Sequence, residues 1–176
     1  MGIYSASFFT CMNALYTYGM VAAKFCALKG IAAAQKKQYA YYRWAARVLM
    51  AASLFYALYS TRLLWHPEIS HYHPYLAMGI ATVTFAEIGL NIRGVWIERK
   101  KKALPFHAIK MINLASSLIS LVLTQTAILS FVHTEPDYDP SRSNGLFGLC
   151  MGASATMIGL FMLWRSTKLK QQEEKQ

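Results

Sequence analysis

The chain has 176 residues, of which 55% are hydrophobic and 15% charged, whereas soluble domains carry about a quarter charged residues. The formal net charge is +10, but the basic residues bracket apolar segments and form no stripe with interleaved aromatic side chains, which argues against nucleic-acid binding. The composition therefore indicates an integral membrane protein and leaves little chain for a soluble domain.

Five apolar segments have about the length that a helix needs to cross the core of a bilayer. Their predicted bounds are 5–23, 45–64, 75–97, 104–132 and 145–164, within a single transmembrane domain over 1–176. The first segment carries the most polar residues, so four spans plus an interfacial N-terminal helix remain the alternative. The predicted fold class is all-α, a polytopic integral membrane helical bundle.

The connecting segments predict the orientation of the bundle. Basic residues are dense in 24–47, which predicts a cytoplasmic turn, and turn-forming and acidic residues are dense in 133–144, which predicts a loop in water. Of the 18 Lys and Arg residues, only Arg62 and Arg142 fall on the side that holds the two histidine-containing loops. The positive-inside rule then places a charged, frayed tail over 165–176 in the cytoplasm. The N-terminus is predicted outside for five spans and inside for the four-span alternative. A bacterial plasma membrane is the default location.

Polar residues inside two apolar segments predict an intramembrane seam. The polar residues are spaced by three and four, so those on each span share one face of the helix. They are Thr84, Glu87 and Asn91 on the third span and Lys110, Asn113, Ser117, Ser120 and Thr124 on the fourth. An ionised carboxylate in hydrocarbon needs a partner, a proton or a water-filled cavity, and Lys110 has a stem long enough to reach Glu87. The seam is therefore either the coupling site of a small carrier or a polar contact that joins two helices.

Small residues on the last span predict close helix packing. Gly148 and Gly152 form a G-x-x-x-G pair, and Gly159 falls near the same face. At the cytoplasmic end of the third and fourth spans, the basic turn of Arg99, Lys100, Lys101 and Lys102 is predicted to meet anionic lipid headgroups.

The sequence carries no common catalytic or metal-binding motif. The cysteines Cys11, Cys26 and Cys150 have no zinc-binding spacing, and the common hydrolase, metalloprotease and P-loop motifs are absent. His107 stands in the same part of the predicted topology as Cys26, but nothing orients the two as base and nucleophile. The metal-ligand candidates in the outer loops are His71, His73 and His133. We expect no catalytic residue and no cofactor.

The sequence is most consistent with a small multi-pass protein that acts by association, either as an accessory or scaffold subunit of a membrane complex or as a homo-oligomer. The first alternative is a small proton- or cation-coupled carrier or channel that uses Glu87. The second is a membrane-embedded enzyme that acts on lipid or peptide. The expected partners are the lipid bilayer and another membrane protein or a second copy of the chain.

Overall fold

The computed structural model describes residues 2–65, 74–98, 104–132 and 140–173, and these residues are helical except at the junction 32–34. The helices are α1 (Gly2–Ile31), α2 (Gln35–Trp65), α3 (Pro74–Glu98), α4 (Leu104–Val132) and α5 (Pro140–Glu173). The all-helical prediction is confirmed for this part of the chain.

Three of the helices are long and apolar enough to cross a membrane. The qualifying stretches are Lys37–Trp65 in α2, Leu104–Leu129 in α4 and Ser141–Leu169 in α5. The described residues of α1 and α3 do not meet the same criteria, so the structure supports a membrane-associated helical protein without confirming the predicted count of five spans.

The first junction is much shorter than predicted. The predicted spans 5–23 and 45–64 leave residues 24–44 for a turn, but α1 continues to Ile31 and α2 begins at Gln35. That prediction is wrong because basic residues do not oppose helix formation: Lys, Arg, Ala and Gln are good helix formers, and no proline interrupts the stretch. The positive charges therefore lie on helices that extend past the apolar segments.

Both ends of α5 also extend beyond its predicted span. Residues 140–144, predicted as part of a loop, form the first turn of α5, because Pro140 suits the first position of a helix, where a backbone N–H has no partner. The predicted frayed tail is helical as far as Glu173, and the side chain of Ser166 is fully buried. The rest of the predicted loop, 133–139, lies outside the described residues.

α4 is the central helix of the bundle. It contacts α1, α2, α3 and α5, whereas α3 contacts only α4 within the described ranges. Much of the core consists of alanines that are completely buried, namely Ala23, Ala45, Ala46, Ala108, Ala115, Ala127 and Ala155. Small side chains allow the helix backbones to approach closely, which is how helices associate in membranes.

Close approach is greatest between α2 and α5, where glycines of α5 face α2. A Cβ atom added to Gly152 would lie 3.0 Å from both the Cα and the Cβ of Ala57, and one added to Gly159 would lie 3.1 Å from the Cβ of Met50. A Cβ on Gly148 would lie 2.6 Å from the Oγ of Ser60. Because rising numbers on α5 meet falling numbers on α2, the two helices are antiparallel.

The same reasoning gives the two ends of the bundle. Gly30 lies next to Tyr41 and Pro105, and Gly94 lies next to Lys110, so α1 and α3 finish where α2 and α4 begin. We call this the basic end. The described basic residues on the helix segments nearest to it are Lys24, Lys29, Lys37, Arg43, Arg47, Arg93, Lys110, Arg165 and Lys168, whereas Arg62 and Arg142 lie toward the other end.

Candidate functional site

Part of the predicted seam forms a hydrogen-bonded contact between α3 and α4. The amide of Asn91 donates to the hydroxyl of Ser117 and, at 3.4 Å, to the backbone carbonyl of Asn113. The Ser117 hydroxyl donates in turn to the same carbonyl at 3.0 Å. Thr84, two turns earlier on α3, is buried. The structure thus brings the central members of the seam together.

The acid and the base of the seam are not brought together. A Cβ on Gly94 would lie 2.6 Å from the Nζ of Lys110 and 3.4 Å from its Cδ and Cε, so the lysine stem lies across this glycine. Glu87 is seven residues earlier on α3, about 10 Å along the helix axis. Its side chain is half-buried. The amino group of Lys110 therefore lies beside Gly94, about two helical turns from the level of Glu87 on α3.

Two polar side chains farther along α4 are hydrogen-bonded within the bundle. Thr124 donates to the carbonyl of Ser120 at 3.1 Å, in the i to i−4 pattern that serine and threonine adopt in apolar helices. The amide of Gln125 donates to the hydroxyl of Ser143 at 3.2 Å and joins α4 to α5. One of these hydrogen bonds lies within α4 and the other joins two packed helices, as expected for polar side chains that stabilise a helix bundle.

The Asn91–Ser117 contact gives a first testable prediction. A double-mutant cycle with Asn91→Ala and Ser117→Ala should give a coupling free energy of about 0.6 kcal/mol, with about 1.7 kcal/mol as the upper end for polar contacts between membrane helices. The measurement is reversible unfolding in mixed detergent micelles. Thr82→Ala is the matched control, because Thr82 bonds to the carbonyl of Met78 on its own helix and should show no coupling to Ser117. A coupling near zero for the first pair would contradict the contact.

A second polar cluster, which the sequence analysis missed, joins α2, α4 and α5 at the basic end. The hydroxyl of Tyr42 lies 3.0 Å from the Nδ1 of His107, and the NH1 of Arg165 lies 2.7 Å from the Nε2 of the same ring. Tyr42 is 1% exposed, and the other two side chains are half-buried. We refer to these three residues as the Tyr–His–Arg cluster.

The geometry determines the direction of each hydrogen bond in this cluster. A guanidinium group only donates, so the Nε2 of His107 accepts from Arg165. A ring that accepts at Nε2 carries its hydrogen on Nδ1, and this hydrogen is donated to the oxygen of Tyr42. His107 is therefore neutral, and both of its ring nitrogens are occupied. This arrangement gives no support to its use as a base for Cys26.

No spacing rule could have found this cluster, because its members come from three segments far apart in the chain. The one local signal is the position of Arg165, which follows Trp164 directly after an apolar run. An arginine there usually extends its side chain to the interface. The three-dimensional packing instead turns the guanidinium onto a ring of α4.

An apolar groove of about 480 Å³ lies between α1 and α2. Its lining includes Leu15, Gly19, Ala52 and Phe55, and it is almost entirely carbon. The groove is partly open to the outside, and its apolar lining would suit an apolar occupant.

Several predicted site residues lie outside the described residues. These are the metal-ligand candidates His71, His73 and His133 and the basic turn Arg99, Lys100, Lys101 and Lys102. Among the residues that the structure does describe, no three His, Cys, Asp or Glu side chains are grouped so that they could hold a metal ion.

Comparisons with protein-family models, with curated proteins and with solved structures found no match to this chain. A function therefore has to be inferred from the chemistry of the two polar sites. One is the α3–α4 contact with Glu87 beside it, and the other is the Tyr–His–Arg cluster.

Proposed function

We propose that this chain is a membrane protein of five spans that acts by association, as an accessory or scaffold subunit, and that α3 is the helix that binds the partner. The observation that carries the proposal is the position of Glu87. This carboxylate is half-buried on a helix that, within the described ranges, packs against α4 alone.

The proposed topology extends the three apolar helices to five spans. Large apolar side chains of α1 and α3 are exposed on the surface of the bundle, including Leu15, Val21 and Phe25 on α1 and Val83 and Leu90 on α3. Lipid would cover these side chains if both helices crossed the bilayer. The concentration of positive charge at the basic end supports a cytoplasmic position for that end, and so for the C-terminal tail. We keep a bacterial plasma membrane as the proposed default location.

Glu87 lies at one edge of the face that α3 presents to α4. The i−4 and i+3 neighbours on its side of the helix are Val83 and Leu90, and both are 68% exposed. A carboxylate at such a lateral position within a span costs several kcal/mol unless a proton or a hydrogen-bond donor accompanies it. A partner helix that lies along Val83 and Leu90 and carries a donor side chain would remove that cost.

A partner of different sequence fits this face better than a second copy of the chain. In a symmetric dimer within a membrane, two α3 helices would lie in parallel with both Glu87 residues at one depth. Two carboxylates at such a contact repel each other unless they share a proton. We therefore propose a different membrane protein that supplies a hydroxyl, an amide or a basic side chain.

Site-specific photocrosslinking in native membranes tests the docking face. We expect Val83→benzoylphenylalanine and Leu90→benzoylphenylalanine to form an adduct with one larger protein. Phe85→benzoylphenylalanine is the matched control, because Phe85 is 60% exposed on the same helix but points to the side away from Glu87. Equal adducts from all three positions, or none from Val83 and Leu90, would contradict the proposal, and an adduct of two identical chains would indicate a homo-oligomer.

The contribution of Glu87 is tested in the same assay. In the Leu90 crosslinking variant, Glu87→Leu should lower the adduct yield at limiting expression, because loss of one hydrogen bond to a charged group weakens binding about tenfold. Glu87→Gln retains a hydrogen-bonding side chain and should lower the yield less. An unchanged yield with Glu87→Leu would show that the carboxylate does not contact the partner.

The position of Glu87 also favours a second candidate, a small carrier or channel. The carboxylate lies one turn from Asn91 and its hydrogen bonds to α4, so a proton or cation bound there would have polar neighbours. Transport predicts pH-dependent flux in proteoliposomes of the purified chain that Glu87→Gln abolishes. Flux that is unchanged in this variant would exclude the carboxylate as the coupling group.

A further inference from the structure

Within the part of the chain that the structure describes, the guanidinium of Arg165 is held by neutral groups. Its NH1 donates to the Nε2 of His107, which is fixed in turn by Tyr42, and neither partner carries a negative charge. Among the side chains that the structure describes, the one carboxylate is that of Glu87, on a helix that does not contact α5. The contact with His107 uses one N–H of the guanidinium and leaves the others for further acceptors.

Other cations lie at the same end of the bundle as Arg165. One turn of α5 farther on, the Nζ of Lys168 lies 4.0 Å from the ring centroid of Trp164. On α2, the guanidinium of Arg47 lies 5.3 Å from the ring of Trp44. An anion bound at the half-buried guanidinium of Arg165 would also be attracted by the other cations of the basic end, and this attraction would offset the repulsion among them.

The site has features that suit a phosphate group. The planar fork of arginine matches two oxygens of a phosphate, and anchoring by His107 and Tyr42 limits the freedom that the side chain would lose on binding. Trp44 and Trp164 are 57% and 54% exposed at the same end, and exposed tryptophans are enriched at the level of lipid headgroups. A phosphate at that level would belong to a lipid.

We infer that Arg165, held in place by His107 and Tyr42, binds a phosphate group at the basic end, and that the phosphate is supplied by the headgroup of an anionic lipid. The site is separate from the Glu87 face of α3 and does not depend on a partner protein. Lys168 adds charge near the bound phosphate without being anchored in the cluster, so it serves as a matched control for charge alone.

The experiment measures binding of defined lipids to the detergent-solubilised full-length chain, by native mass spectrometry and by thermal shift. We expect dioleoylphosphatidylglycerol to bind saturably and more tightly than dioleoylphosphatidylcholine. Arg165→Gln should weaken phosphatidylglycerol binding about tenfold or more, because it removes charge-assisted hydrogen bonds. Lys168→Gln should weaken it about fivefold or less, as expected for one unanchored basic residue near an anionic lipid.

Two further measurements complete the test. One distinguishes lipid phosphate from free phosphate, and the other keeps the test valid if Arg165→Gln does not fold. If inorganic phosphate stabilises the chain as much as phosphatidylglycerol does, and Arg165→Gln abolishes both effects, the phosphate site is supported but the lipid source is overturned. If Arg165→Gln does not fold, Arg165→Lys replaces it, and this variant should bind less tightly than the wild type because it keeps the charge but loses the fork. Equal effects of Arg165→Gln and Lys168→Gln, wild-type affinity in Arg165→Lys, or no saturable binding would overturn the proposal.

Discussion

Gly152→Leu is expected to force α2 and α5 apart and to lower the free energy of unfolding by about 3 kcal/mol, the upper end of the usual cost of overpacking. The atoms that a side chain at this position would meet are the Cα, Cβ and N of Ala57, at 3.0 to 3.1 Å from the added Cβ. Two of these are backbone atoms, so no change of rotamer relieves the clash. The measurement is reversible unfolding in mixed detergent micelles.

The matched control is Gly89→Leu on α3. A Cβ added to Gly89 meets nothing within 4 Å, so the same substitution there encounters no neighbour in the described chain. We expect its stability to be unchanged or to rise by about 0.5–1 kcal/mol, because glycine is a poor residue for the interior of a helix. Equal losses from the two variants would mean that the α2–α5 contact is not as close as the structure shows.

Tyr16→Ala is expected to loosen α1 and to lower the free energy of unfolding by about 3 kcal/mol, as for the deletion of other large buried rings. The Tyr16 hydroxyl donates to the backbone carbonyl of Ala115 on α4 at 3.2 Å, and its ring centroid lies 5.4 Å from that of Tyr56 on α2. This side chain therefore ties α1 to two helices at once.

Cysteine labelling reads out the same change locally. Cys26 on α1 is partly buried against the core, so its maleimide labelling should be faster in Tyr16→Ala, whereas Cys11 is already exposed and should be labelled at the same rate. Tyr18→Ala is the matched control, because Tyr18 is 74% exposed and should leave both rates unchanged. A constant rate at Cys26 in the Tyr16→Ala variant would show that another contact holds α1 in place.

The two proposed sites lie on different sides of the central helix. Through Asn113 and Ser117, α4 holds the helix that carries Glu87, and through His107 it holds the arginine proposed to bind phosphate. The crosslinking assay depends on α3, and the lipid assay depends on α5. Failure of one proposal therefore leaves the other standing.

The composition and the periodicity of the sequence were sufficient to identify a helical, membrane-associated protein. Apolar runs of this length satisfy their backbone polar groups internally only as helices or closed barrels, and few charges interrupt them. The positions of the glycines in α5 also predicted a packing face, because residues spaced by three and four share one side of a helix. The helix ends were predicted less well, because basic residues that mark the edge of a membrane are also compatible with helix.

Tertiary packing decided how the helices are matched to one another. Periodicity shows that Glu87 and Asn91 share a face of α3, but the contact of Gly94 with Lys110 fixes the register in which Asn91 reaches Ser117 and Glu87 stays apart from Lys110. The same packing brings Tyr42, His107 and Arg165 together from three separate segments. The helical period determines the direction of each side chain within one helix. The register between two helices depends instead on which small residues allow the backbones to meet, and that register is determined only when the whole bundle packs.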